Sequence, residues 1–146
     1  MTFQIKEVPV KERPGISMFT IEGIMTAQRF GVEETFKELK DKYEIDRIIE
    51  IGTHFGGLSL ILRMVWPDIP IYSFDINVCP NEDKLYSNNI IFVQEDVFES
   101  EVIRQVIRAP RRVLILCDGG HKKNEFTFFA EMLKHGDLIG AHDYSS

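Results

Sequence analysis

The chain of 146 residues has room for one domain of ordinary size. Hydrophobic residues make up 44% of it and charged residues 27%, a composition too apolar for a disordered protein. The formal net charge of −6 argues against binding to nucleic acid, and no apolar run approaches the roughly 20 residues that span a bilayer.

The first 23 residues contain two short extended stretches, Phe3–Val10 and Ile16–Glu22. Pro9 favours an edge position for the first of them, because proline cannot donate to a central ladder. A helix is predicted from about Thr26 to Tyr43, since apolar residues recur at helical spacing from Phe30 to Leu39.

Strands and helices then alternate along the rest of the chain. Strands are predicted at Arg47–Ile51, Ile71–Phe74, Ile90–Val93, Val113–Cys117 and Leu138–Ala141. Helices are predicted at Gly57–Trp66, Glu99–Ile107 and Lys122–Leu133. Short apolar strands that alternate with helices indicate a doubly wound, mostly parallel α/β sheet of the Rossmann type. We expect a single domain, residues 1–146, with an extended segment at 1–23 and a core at 24–146.

A glycine-rich loop follows the first strand of this core, in the segment EIGTHFGGLS from Glu50 to Ser59. Ligands of open α/β sheets bind outside the carboxyl ends of the strands, where the next helix offers free backbone N–H groups. The spacing matches neither the dinucleotide fingerprint G-x-G-x-x-G nor a nucleoside-triphosphate loop. The residues alone leave two interpretations open, a ligand-binding loop or a turn that only packs the helix on the strand.

Acidic residues follow the next two strands. Asp75 ends the second strand, where a carboxylate can accept hydrogen bonds from both hydroxyls of a ribose. Asp96 follows the third strand and is placed to reach an adenine edge. Together with Glu50 they form three acids at three consecutive strand ends, which favours a nucleoside site over three unrelated polar residues.

The sequence resembles the class I S-adenosylmethionine-dependent methyltransferases in its run I-I-E-I-G-x-x-x-G-G-x-S and in the strands that lead to Asp75 and Asp96. The resemblance implies that Gly52 and Gly56 lie against the methionine part of this cofactor, Asp75 on its ribose and Asp96 near its adenine. It also implies that Glu50 orients the loop or the cofactor's ammonium group. The cofactor-binding residues that we expect are Glu50, Gly52, Thr53, Gly56, Gly57, Ser59, Asp75, Asp96 and Asp118.

The sequence Asp118-Gly-Gly-His121 follows the fourth strand, and His142-Asp143 follows the fifth. Neighbouring parallel strands would place Asp118 and Asp143 side by side, and two ionised carboxylates at that distance favour a cation between them. Oxygen ligands suit Mg²⁺, whereas an imidazole from His142 would suit a softer divalent metal. His121 is a candidate general base for a substrate hydroxyl. The residues alone also allow Asp118 to cap the next helix, with His142 and Asp143 merely solvated.

The pattern from Arg47 to Tyr144 resembles the metal-dependent O-methyltransferases that modify macrolide sugars, together with the proteins named cephalosporin hydroxylases, which share their fold. The resemblance implies that Asp118 and Asp143 are metal ligands and that His121 is the base. At the position of His142 that family has a carboxylate. We therefore expect methyl transfer to a hydroxyl of a small molecule or sugar, assisted by Mg²⁺ or another divalent metal. The alternative is a non-catalytic nucleoside-binding or assembly domain derived from a methyltransferase.

Methyltransferases of this class continue beyond the fifth strand, so we expect a truncated version with an exposed sheet edge. Such an edge predicts a homo-oligomer, or an N-terminal segment that covers it. The expected partners are thus a small-molecule acceptor and further copies of the chain, without nucleic acid or membrane. A cytoplasmic location is expected, because two cysteines make no disulfide framework and the charged N-terminus lacks a signal peptide.

Overall fold

The computed structural model describes residues 3–12, 15, 17–26 and 28–141, which form two sheets and five helices. The strands are β1 (Ile5–Pro9), β2 (Ser17–Ile21), β3 (Ile24–Met25), β4 (Arg47–Ile51), β5 (Ile71–Asp75), β6 (Ile90–Gln94), β7 (Val113–Cys117) and β8 (Leu138–Ala141). The helices are α1 (Val32–Lys42), α2 (Gly57–Val65), α3 (Glu82–Ser87), α4 (Glu101–Arg108) and α5 (Lys122–Ala130).

The main sheet is parallel and has the strand order β6-β5-β4-β7-β8. The chain adds strands on one side of β4 and then crosses to β7 on the other, so the topological switch point lies between β4 and β7. Ligands of doubly wound sheets bind at the carboxyl ends of the strands around this point. The predicted Rossmann-type sheet is therefore confirmed.

Both faces of the main sheet are covered, which explains why its strands are apolar at most positions. Ile48 and Leu114 face a core formed with α2 and the N-terminal strands, whereas their neighbours Ile49 and Ile115 face α4 and α5. Successive side chains of a strand point to opposite faces, so each strand contributes to two cores.

The N-terminal residues form a separate antiparallel sheet with the order β1-β2-β3, in which β1 has the predicted edge position. Its residues Phe19 and Ile21 are fully buried in the core that contains α2. The helix predicted from Thr26 is wrong in its first part, because β3 precedes it and Phe30 N–H donates to the carbonyl of Ser17 in β2. The helix begins only after Gly31, whose φ of 95° is left-handed.

Helices α3, α4 and α5 also differ from prediction. The short polar helix α3 was not predicted, and α4 begins at Glu101 because the Ser100 hydroxyl caps it by accepting from Ile103 N–H. Helix α5 ends at Ala130, three residues before the predicted Leu133.

Strand β8 lies at one edge of the main sheet, and within the described residues it pairs with β7 alone. The homo-oligomer expected from this edge stays a prediction. No helix in the described part of the chain is long and apolar enough to cross a membrane.

Candidate functional site

A cavity of about 360 Å³ lies at the carboxyl ends of β4, β5, β6 and β7, and we call it the first cavity. Four of the predicted site residues line it, namely Gly52, Asp75, Asp96 and His121. Its volume lies in the range of small-molecule sites, about 300–1,000 Å³. The position is the one that the switch point of the sheet predicts for a ligand.

Asp75 is held at the tip of β5 by two backbone amides. Its Oδ2 accepts from His54 N–H at 2.9 Å, and its Oδ1 accepts from Asn77 N–H at 2.9 Å. Each carboxylate oxygen has a further lone pair, so the fixed side chain can still accept hydrogen bonds from two neighbouring hydroxyls. This geometry suits the predicted ribose contact.

Another part of the first cavity's lining combines an acid with apolar surfaces. Asp96 lies on the wall, and its Oδ1 accepts from Phe98 N–H at 3.0 Å. Phe98 stacks on Phe129 with their planes 15° apart, and Ile76 is 65% exposed on the same wall. A flat apolar ring with polar edges, such as a purine, matches these surfaces.

Gly52 joins the glycine loop to both neighbouring strands. Its N–H donates to the carbonyl of Phe74 at 2.7 Å, and Asp118 N–H donates to the carbonyl of Ile51 at 2.8 Å. The φ of Gly52 is 95°, and an added Cβ would lie only 2.2 Å from the carbonyl oxygen of Asp118. Only glycine allows the loop to sit this close to the end of β7.

Three other predicted residues, Glu50, Ser59 and Thr53, belong to a buried hydroxyl cluster below the loop. The Glu50 carboxyl accepts from the hydroxyls of Ser59 and Ser73, and the Thr53 and Ser73 hydroxyls are 2.6 Å apart. Burial, the dominant cause, raises the pKa of Glu50 to about 8. Because Glu50 lines neither described cavity, this placement favours the loop-orienting role over contact with a cofactor ammonium group.

A second cavity, of about 270 Å³, lies between the loop and the N-terminal segment. Thr53, Gly57 and Asp118 line this second cavity rather than the first. A Cβ on Gly57 would lie 2.4 Å from the Thr26 methyl group, so this glycine permits the N-terminal segment to pack on α2. Gly56 precedes α2, faces the Leu85 side chain and lines neither cavity.

The buried Asp118 carboxylate has donors around it. Its Oδ2 accepts from the Gln28 side-chain amide at 3.3 Å, and its Oδ1 lies 3.5 Å from the Lys122 ammonium. Its backbone carbonyl lies 2.7 Å from Nε2 of His54. A charged ammonium and an amide N–H are not metal ligands, so these neighbours do not form a divalent-metal site.

No group of three or more His, Cys, Asp or Glu side chains that could hold a metal ion occurs among residues 3–12, 15, 17–26 and 28–141. The other two predicted ligands, His142 and Asp143, lie outside the described residues. The predicted metal site therefore stays a prediction, and the described residues alone do not fit it.

His121 precedes α5 and is exposed on the wall of the first cavity. The loop that carries it is held by Glu125, whose carboxylate accepts from Gly119 N–H at 3.1 Å and from His121 N–H at 3.3 Å. Burial is the main cause of a raised Glu125 pKa. The sequence analysis did not identify Glu125, because only the turn of α5 brings it under the loop.

His54 was also not identified, although it lies within the glycine loop, and it lines both cavities. A carbonyl oxygen can only accept, so Nε2 of the imidazole donates in its contact with the Asp118 carbonyl. Its φ of 53° marks a left-handed loop position, which is uncommon for a residue other than glycine.

Comparison with known proteins agrees with this architecture. No protein-family model and no curated protein matches the sequence. A solved structure described as cmcI-N160 SAH is similar over 86% of this chain and 66% of that chain, with a TM-score of 0.67 and 15% identity. A second, described as a caffeoyl-CoA O-methyltransferase from Staphylococcus aureus, is similar over 75% of this chain and 56% of that chain, with a TM-score of 0.58 and 19% identity. The chain has the class I methyltransferase fold.

At 15% and 19% identity these similarities show the fold alone. They confirm the fold that the sequence resemblance implied. The chain spans about two thirds and just over half of the lengths of the two structures.

Proposed function

We propose that the protein is an S-adenosylmethionine-dependent O-methyltransferase that acts on a hydroxyl group of a small molecule. The observation that carries the proposal is Asp75, a carboxylate fixed by two backbone amides inside a cavity at the switch point of the sheet. The fold supports it, as do the words SAH and O-methyltransferase in the descriptions of the two similar structures.

The charge of the first cavity also supports this cofactor. Four acidic residues line it, Asp75, Glu95, Asp96 and Glu125, and none of the described lining residues is Lys or Arg. A wall with this negative charge repels the phosphates of a dinucleotide and attracts a cation. Bound there, S-adenosylmethionine would supply a methyl group on a positively charged sulfonium.

In this proposal the chain's own residues hold the nucleoside and accept a proton. Asp75 accepts from the ribose hydroxyls, while Asp96 and the apolar surface beside it hold the base. His121, on the same cavity wall, takes the proton of the acceptor hydroxyl, as the sequence predicts. Most of the rate would come from holding the reacting groups in line.

Metal assistance is the finer form of the proposal. It depends on Asp118 together with His142 and Asp143, and we assign no chemical step to a metal. A titration with Mg²⁺ and Mn²⁺ is its direct test, because a site that stays empty at millimolar metal would remove this part of the proposal and leave the rest unchanged.

Calorimetric titration of the whole chain tests the main proposal. We expect saturable binding of S-adenosylhomocysteine and no binding of NADH. Binding of NADH without S-adenosylhomocysteine would contradict it. If S-adenosylhomocysteine binds but no labelled methyl group passes from S-adenosylmethionine to small hydroxyl compounds, the non-catalytic nucleoside-binding alternative is supported instead.

A further inference from the structure

Glu125 is a buried acid on the wall of the first cavity, and the proposed function leaves it without a role in the reaction. The residue is 3% exposed and lies in the first turn of α5. A carboxylate is costly to remove from water unless hydrogen-bond donors replace the water. The donors around Glu125 therefore indicate what this side chain does.

Both carboxylate oxygens of Glu125 accept from backbone amides of the loop that joins β7 to α5. Oε1 accepts from Gly119 N–H at 3.1 Å, and Oε2 accepts from His121 N–H at 3.3 Å. In the opposite direction, Glu125 N–H donates to the carbonyl of His121 at 2.8 Å. This reciprocal pair is similar to a capping box. The backbone of His121 is thus fixed at both its N–H and its carbonyl, while its side chain makes no capping hydrogen bond to α5.

Gly119 leaves room for this carboxylate. A Cβ added to Gly119 would overlap Oε2 of Glu125, whereas a Cβ added to the next residue, Gly120, would have no atom within 4 Å. The two neighbouring glycines are therefore a matched pair for a test. Replacing the first by Ala should displace the carboxylate, and replacing the second should not.

The charge of Glu125 matches the proton transfer that the proposed function assigns to His121. As the acceptor oxygen bonds the methyl carbon and the S–CH₃ bond breaks, the hydroxyl proton passes to the imidazole, so the positive charge moves from the sulfonium to His121. Burial is the main cause that raises the pKa of Glu125, whereas its two backbone hydrogen bonds and a charged His121 lower it. This attraction is mutual, so an ionised Glu125 stabilises the imidazolium.

We propose that Glu125 is a positioning residue that holds His121 through two backbone amides and stabilises the positive charge that His121 gains; the inference rests on the proposed function. Glu125→Gln tests it, because glutamine has nearly the same shape but no charge. Its NH₂ group cannot accept from an amide N–H, so one of the two hydrogen bonds is lost. The control is Glu131→Gln, which removes an exposed carboxylate at the end of the same helix.

Amide hydrogen exchange, followed by NMR in the whole chain without ligand, tests the contact itself. In Glu125→Gln we expect exchange at Gly119 or His121 to become about tenfold or more faster, because a hydrogen bond to a charged group is lost. In Gly119→Ala the same increase is expected at His121. Glu131→Gln and Gly120→Ala should change exchange at His121 by less than about threefold.

Transfer of a labelled methyl group from S-adenosylmethionine at pH 8 tests the role in the reaction. The acceptor is catechol, benzyl alcohol or methyl glucoside, whichever the wild type methylates, and rates are divided by the number of S-adenosylhomocysteine sites found by calorimetry. In Glu125→Gln and Gly119→Ala we expect kcat to fall about tenfold or more, with the KM for S-adenosylmethionine within about threefold. Combining the two substitutions should lower kcat no further, because both break one contact.

Unchanged exchange at both Gly119 and His121 in Glu125→Gln would overturn the inference. A raised KM for S-adenosylmethionine with an unchanged kcat would also overturn it, because Glu125 would then act in cofactor binding. If the wild type transfers methyl groups and Glu125→Gln does so equally fast, the inference fails and the proposed function stands. If the wild type binds no S-adenosylhomocysteine, the proposed function fails, and the role of Glu125 in proton transfer fails with it even where the exchange data confirm the contact.

Discussion

Replacement of Glu50 by Gln should change how the stability of the protein depends on pH. The side chain is fully buried, and its pKa rises from 4.5 to about 8. The folded protein therefore keeps a proton that the unfolded chain loses above about pH 4.5. A raised pKa of this kind gives stability that is complete below the unfolded value and is lost as the pH rises towards 8.

The size of the effect follows from the two pKa values. The free energy of unfolding falls by about 5 kcal/mol in total as the pH rises past both pKa values, and about 2 kcal/mol of this decrease occurs between pH 6 and pH 8. Glu50→Gln keeps the shape and an oxygen that can accept from Ser59 and Ser73, but it cannot ionise. Between pH 6 and pH 8 the wild-type free energy of unfolding should therefore fall by about 2 kcal/mol more than that of the variant.

Urea unfolding, followed by the fluorescence of the single tryptophan at pH 6, 7 and 8, measures this difference. Glu38→Gln, an exposed carboxylate on α1, is the control and should follow the wild-type profile. Parallel profiles for the wild type and Glu50→Gln would refute the reasoning, because Glu50 would then ionise equally in both states.

Three further predictions concern the cofactor, the packing and the assembly. Asp75→Asn should weaken the binding of S-adenosylhomocysteine by about 1–3 kcal/mol in calorimetry, because a charged hydrogen-bond acceptor is lost, whereas Asp83→Asn, at an exposed position, should leave binding unchanged. Equal dissociation constants for the two variants would contradict the ribose contact. Gly57→Ala should lower the free energy of unfolding by about 1–3 kcal/mol, because the added Cβ would overlap the Thr26 methyl group. Gly120→Ala, which has open space around it, should change that free energy little, and equal effects of the two substitutions would contradict the packing argument. Light scattering should show a homo-oligomer that pairs through the outer edge of β8, where no other described strand lies. A monodisperse monomer of 16.9 kDa would show this expectation wrong.

The bounds of the main-sheet strands could be predicted closely, because strands that are buried on both faces are short runs of mostly apolar residues. Arg47–Ile51, Val113–Cys117 and Leu138–Ala141 have the predicted bounds, since each is an apolar run with polar residues or glycine close to its ends. The start of α1 could not be predicted from periodicity, because the apolar residues before Gly31 pack through β-sheet contacts of the N-terminal segment.

Residues of the candidate site were predictable where a strand end alone positions them. Asp75 and Asp96 follow directly from the parallel sheet, and both line the first cavity. Gln28 and Glu125 were not predictable, because their roles depend on contacts with Asp118 and with the loop after β7. Such contacts are set by how separate elements dock, and one sequence carries no periodic signal for them.

The two cavities are lined by different parts of the chain. Every described residue that lines the first cavity comes from the parallel sheet, its loops or α5, between residues 51 and 125. The second cavity is also lined by Met25 of β3 and by Thr26 and Gln28, which follow β3, and the small N-terminal sheet packs on α2 as a separate layer. Replacement of this N-terminal layer would therefore change a wall of the second cavity, whereas the residues that line the first cavity would stay the same.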